Sequence, residues 1–216
     1  MVHNLNRVWS SEWLDGEIDS PELRRARELR PVMAQADHIL DIHSTSQNVR
    51  PFWVYPAFER NSLAALAIGV PNVHLVMPSG LGSGTPLIQH GTHGTADGKG
   101  VAMVVECGQH FLRASSDRAI AVTAAFLAHF GLVKPDPAFS APEAQQRYEL
   151  VQTHVIKSTE FAFVRPVIGF EVFAKGELIA TNGAEEIRAP CDNCTIMMPA
   201  RAAIVGREAV YLTRPL

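Results

Sequence analysis

Apolar residues gather into short, nearly unbroken runs, each bounded by Gly, Pro or polar positions. Such runs, alternating with helical segments, point to strands buried on both faces. Ser20-Pro21-Glu22 reads as a helix start: a hydroxyl cap, Pro at the first helical position and an acid in the first turn. That helix carries ELRRAREL, and Pro31 is expected to break or kink it before a continuation through VMAQA. HILDIH, ending at His43, is the first clear strand. NSLAALAIGV predicts a short helix and VHLVMP a second buried strand. SGLGSGTPLIQHGTHGTADGKG is a Gly-rich loop with a brief extended piece at Pro86 to Gln89, and loops of that length are uncommon unless functional. VAMVVECG is the third apolar strand. Ser115 or Ser116 is expected to cap a helix running to about Gly131.

Strands alternating with helices predict an α/β layer around a largely buried sheet. After Lys134 the texture changes. KPDPAFSAPEAQQ reads as a Pro-rich linker, and beyond it come short strands with Gly turns: YELVQTHVI, FAFVRPV, FEVFAKGELIATNG, TIMMPARAAIVG and AVYLTRP. No helix is suggested there. The expected organisation is an α/β catalytic domain over residues 1–140 and a small all-β domain over residues 141–216, with no internal repeat.

Composition narrows the class. The 216 residues are 47% hydrophobic and 19% charged, with a formal net charge of −3, which suits a globular protein with one good core. No basic block suggests nucleic acid as a partner. The longest apolar stretch, AIAVTAAFLAHFGLV, contains His and Gly and is too short to span a bilayer. The first residues have no signal-peptide pattern. Three cysteines, an odd and low count, argue against a disulfide framework. A cytoplasmic, enzyme-like protein with no membrane partner is expected.

Three stretches carry side chains suited to chemistry. Asp41 and His43 are two apart, so they leave the same face of a strand. A carboxylate that orients an imidazole is a recurring arrangement behind metal ligands, while a hydrogen-bonded structural His is the plainer reading. Glu106 stands at the C-terminal end of an apolar strand, where burying it unpaired costs on the order of several kcal/mol. Sites form at such strand ends, and Glu106 there can act as general base toward a metal-bound water or simply join a salt bridge. Asn6 and Arg7 can clamp a carboxylate, or Arg7 can be solvated. His90 and His93 form a His-x-x-His in the Gly-rich loop and are weaker candidate ligands. Cys191 and Cys194 make one Cys-x-x-Cys, short of the four ligands of a structural zinc, and read as a turn between strands. Cys107 is expected in the core.

Together LNRVW, DIHSTS and VECG resemble, in order and spacing, the succinylglutamate desuccinylase/aspartoacylase family, zinc-dependent relatives of the metallo-carboxypeptidases. The β-rich tail with RAPCDN is similar to that family's small C-terminal domain. The resemblance covers essentially the whole chain. It implies a carboxypeptidase-like mixed sheet with flanking helices and one zinc ion. It also implies hydrolysis of the amide bond of a small N-acyl amino acid. His43 would bind zinc with Asp41 behind it, Glu106 would activate water, and Asn6 and Arg7 would hold the substrate carboxylate.

The chain departs from the family pattern at one point. The family draws two further zinc ligands from a His-x-x-Glu upstream of its Asn-Arg motif, and here Asn6 lies almost at the start. None of the nine histidines is followed by Glu three residues on. The expectation is an N-terminally incomplete domain with one of three zinc ligands, weak or inactive alone. A missing N-terminal segment or a homo-oligomer would then be its partner. A non-catalytic carboxylate-binding or partner-binding member of the same fold is the alternative. A peptide-cleaving carboxypeptidase is disfavoured by the β-rich tail.

Overall fold

The structure, a computed structural model, describes residues 2–78, 80–81, 83–135 and 144–216. Residues 136–143 of the expected linker lie outside the described residues. In chain order the helices are α1 (Ser11–Asp15), α2 (Pro21–Gln35), α3 (Glu59–Ile68) and α4 (Arg113–His129). The strands are β1 (Ile39–Thr45), β2 (Phe52–Pro56), β3 (Val73–Met77), β4 (Ala102–Gln109), β5 (Gln146–Val155), β6 (Ala162–Phe163), β7 (Val172–Phe173), β8 (Leu178–Asn182), β9 (Glu185–Arg188), β10 (Cys194–Met197) and β11 (Glu208–Pro215).

One mixed sheet of eight strands runs in the order β1-β4-β2-β3-β5-β11-β10-β7, and β6-β8-β9 form a second, small sheet. β1 pairs parallel with β4, β2 with β3, and β3 with β5, while β2 and β4 are antiparallel. The sheet therefore continues from the α/β part into the β-rich C-terminal part through the β3–β5 pairing. Alternation along the central strands divides the core into two faces. Phe52, Leu75 and Val104 pack on one. Trp53, Val105 and Cys107 pack on the other, under Ala64 and Ala65 of α3 and Val122 and Phe126 of α4. The C-terminal strands close a further core around Ile156, Ile179, Ile187 and Ile196.

Ser20 caps α2 as expected, its Oγ accepting from Leu23 N at 3.1 Å. α2 does not break at Pro31 but continues to Gln35, the continuation the sequence suggested; Pro31 is exposed, so water can replace the backbone bond that Pro removes. Two local expectations, the cap of α4 and the extended piece at Pro86 to Gln89, need correction. α4 starts at Arg113, before either expected cap, because Ser115 Oγ is turned back to the Gln109 carbonyl at 2.7 Å. The piece expected to be extended at Pro86 to Gln89 is a 3-10 turn over Leu87–Gln89, followed by another over Gly91–Gly94. No helix of the described residues is long and apolar enough to cross a membrane.

Candidate active site

Parallel pairing of β1 with β4 sets His43 opposite Glu106. The register then slips: Thr45 meets Gln109, so β4 takes three steps where β1 takes two. This is a β-bulge, a device that re-aims side chains beside sites. Gly108 supplies it with φ +110, and a Cβ there would lie 3.1 Å from Ser115 Oγ.

Asp41 and His43 share a face, as their spacing requires. His43 Nε2 lies 3.0 Å from Asp41 Oδ2, and Nδ1 lies 3.6 Å from Glu106 Oε1. Burial alone would lower the His43 pKa. The contacts with Asp41 and then Glu106 outweigh burial and push it up to about 10, so an imidazolium sits between two carboxylates at neutral pH. Glu106 is 5% exposed, and its Oε2 has no partner among the described residues. A buried acceptor left open in this way is uncommon and needs a reason.

Arg7 ends a 3-10 turn over Leu5–Arg7. Its Nε and Nη2 donate to Glu208 Oε1 and Oε2 at 2.9 and 2.8 Å, a two-pronged bond. Tyr211 donates its hydroxyl to Glu208 Oε2 at 2.6 Å, and Ser83 donates to the same carboxylate. Arg7 Nη1 donates to the Asn6 carbonyl at 2.7 Å, while Asn6 Oδ1 accepts from Leu87 N at 2.8 Å. Burial would lower the Arg7 pKa and raise that of Glu208, but their pairing reverses both shifts. Burial drives the Tyr211 hydroxyl well above its ordinary value, and the charges of Glu208 and Glu106 add to it. Tyr211 thus bonds to the Arg7–Glu208 pair, whereas His43 pairs with Asp41 and Glu106. Gly84 allows the loop its approach: φ is +131, and a Cβ would meet the Arg7 carbonyl at 2.3 Å.

Glu208, Tyr211 and Ser83 carry no signal in the sequence that marks them as part of a site. On a regular strand Glu208 and Tyr211 would face opposite sides. A register shift between Glu208 and Val210 brings them together. The other candidates lie apart from this cluster. His90 Nδ1 is 2.8 Å from the Trp9 carbonyl. His93 is buried beside Gly100, with Nε2 unpartnered among the described residues. Cys191 lies in the turn before β10, and Cys194 opens that strand.

A cavity of about 840 Å3 is lined by Ser44 and Thr45, the residues after His43 on β1, and by Arg7, Ser83 and Glu208, but not by Asp41, His43 or Glu106 themselves. Phe52, another lining residue, is the backbone partner of Glu106. Ser44 Oγ and His110 Nδ1 are hydrogen-bonded at 2.7 Å on its wall. The volume is that of a small-molecule site.

The zinc implied by the sequence resemblance can be tested against the donors present. A catalytic zinc takes three protein ligands. Among the described residues no group of three His, Cys, Asp or Glu is placed to hold a metal ion, and His43 offers a single imidazole with Nε2 turned to Asp41. The residues described do not, by themselves, fit a zinc ion.

The fold is shared with solved structures of succinylglutamate desuccinylases and of an ectoine utilization protein. The chain aligns with succinylglutamate desuccinylase from Vibrio cholerae at a TM-score of 0.74 and 19% identity, covering 100% of this chain and 65% of that one. It aligns with a succinylglutamate desuccinylase/aspartoacylase from Rhodobacter sphaeroides at 0.66 and 15%, covering 99% and 68%. A product-bound ectoine utilization protein, EutE (DoeB), from Ruegeria pomeroyi gives 0.66 and 14%, covering 99% and 67%. The chain thus spans about two thirds of the length of these structures. No family model and no curated protein sequence matches it. At these identities the likeness is one of fold: a mixed α/β sheet with a β-rich C-terminal part.

Proposed function

We propose that the chain is an amidohydrolase of N-acyl amino acids, a member of the succinylglutamate desuccinylase/aspartoacylase family. The observation that carries this reading is Glu106, buried with Oε2 unbonded beside a His43 ring held by Asp41; Phe52, its partner across the sheet, lines a ligand-sized cavity. A buried carboxylate oxygen without a donor is a proton acceptor with a vacant position. A water bonded there is deprotonated as it attacks the acyl carbonyl, and Glu106 then returns the proton to the leaving amine nitrogen. The His43 charge lies within ion-pair distance of Glu106 and favours the oxyanion that develops. Zinc in such enzymes supplies polarisation of the carbonyl and water; His43 would be a ligand only as a neutral ring released from Asp41 and Glu106, in place of its role as a charge, and together with donors beyond the described residues. Glu208 fills the Arg7 fork in this conformation. While that pair holds, the expected Asn6–Arg7 carboxylate clamp is closed to substrate.

That internal pairing favours a second reading, a carboxylate-binding protein without catalysis. The test is release of free amino acid from a panel of N-acetyl, N-succinyl and longer N-acyl amino acids, with and without added zinc. The amidohydrolase reading expects release that Glu106→Gln lowers by roughly a hundredfold or more. No release under any condition, with ligand binding unchanged in Glu106→Gln, leaves the binding-only reading.

A further inference from the structure

The cavity has apolar and polar lining in comparable parts, and its apolar side chains include two groups. Phe52, Phe170 and Met198 are buried or half-buried, while Ile168, Ile204 and Val205 are each about half exposed. Phe170 and Met198 hold left-handed backbone, with φ of +73 and +53, a conformation that bulky residues adopt at a steric cost. Among the described residues the only other non-glycine positions of this kind are Phe111 and Asn193. The Phe170 ring meets Phe52 and Tyr148 edge-on at 5.9 and 6.1 Å, and the Arg50 guanidinium lies 4.2 Å from its centre.

The charged lining residues differ in exposure and pairing. Glu208 is the one carboxylate among the described lining residues, and Arg7, Ser83 and Tyr211 already bond it. Arg7 is committed in return. Arg201 and Arg207 also line the cavity, are exposed, and have no carboxylate partner among the described residues. Arg201 donates only to the Ser46 carbonyl, at 3.1 Å.

We infer that this cavity takes the apolar acyl chain of an N-acyl amino acid bearing a single carboxylate, with the chain against Phe52, Phe170 and Met198 and the carboxylate at Arg201 and Arg207. An acyl group ending in its own carboxylate would set a second charge against these apolar side chains, and Arg7, committed to Glu208, is not free to receive it. The amide in this ligand rests on the deacylase reading above, whereas seating of the chain does not.

Isothermal titration of the full chain with N-acetylglycine, N-hexanoylglycine and N-octanoylglycine tests the inference, with N-succinylglutamate and octanoate alongside. The expected dissociation constant falls roughly threefold per methylene, and N-succinylglutamate binds about tenfold or more weaker than N-octanoylglycine. Ile204→Asp, at a half-exposed apolar position of the lining, flattens the dependence on chain length. Arg207→Gln weakens all three acylglycines by a similar factor. Equal affinity along the series, or tightest binding by N-succinylglutamate, overturns the inference. If octanoate matches N-octanoylglycine and no glycine is ever released, the acyl cavity stands and the deacylase reading falls. If glycine is released from N-acetylglycine, Glu106→Gln stops it and affinity ignores chain length, the deacylase reading stands and the acyl cavity falls.

Discussion

Glu208 accepts bonds from Arg7, Tyr211 and Ser83. Burial raises its pKa, but the bonds to Arg7 and the other donors bring it below the usual 4.5. A folded pKa below the unfolded one means that the unfolded chain binds more protons at acid pH. The stabilisation is therefore fully present above pH 4.5 and is lost as pH falls through the folded value. Urea unfolding should show the wild type losing stability below pH 4.5 more steeply than Glu208→Gln. At neutral pH the variant should cost about 1–3 kcal/mol, less than a fully buried pair, because both side chains are about a fifth exposed. A variant that keeps both the stability and the acid slope would remove Glu208 from this role. The residue scale also divides what a sequence can tell. Asp41 and His43 were legible as neighbours because strand geometry alone sets a two-residue spacing on one face. The partnership of Glu208 with Tyr211 was not, because a bulge reverses the side on which one of them stands.

Legibility at the scale of elements follows the same division. β1, β3, β4 and α3 are apolar runs of the right length between Gly, Pro and polar breaks, and they lie where the pattern predicts. β2 is central in the sheet yet bounded by Pro51 and ended by Pro56, and β9 is the polar EEIR, so neither stands out locally. The start of α4 was misplaced because Ser115 bonds backward to Gln109 rather than capping. Two predictions belong here. Gly108→Ala must place a side chain on backbone at φ +110, 3.1 Å from Ser115 Oγ. It should destabilise by about 1–3 kcal/mol in urea, and a cost under a few tenths would mean that the bulge adapts freely. β1 forms the open edge of the large sheet, paired only to β4 among the described strands, and Ile42 on it is 47% exposed. Such edges recruit other strands unless charge blunts them. Light scattering should find Ile42→Lys less associated than the wild type at equal concentration; identical masses would show that this edge does not mediate self-association.

At the scale of the whole molecule, the α/β class with a β-rich tail could be read from the alternation of segments, but the order β1-β4-β2-β3-β5 could not. Local patterns say that a strand is buried, and nothing in them says which strand lies beside it. That order is what places His43 against Glu106, and it is also what exposes the deficit in metal donors. Among the described residues this site offers one imidazole, that of His43, where a zinc takes three or four ligands, with no three-residue group to complete it. A ligand stabilises a fold by RT ln(1 + [L]/Kd), so a site this incomplete should hold zinc too weakly to matter. Thermal unfolding in excess EDTA and in roughly 0.1 mM zinc should then give Tm values within about 1 °C of each other, and His43→Ala should show the same indifference. A rise of several degrees with zinc, abolished by His43→Ala, would mean that His43 gathers donors from beyond the described residues. The paired carboxylates on its two nitrogens would then be the metal-free arrangement of a site that closes around the ion.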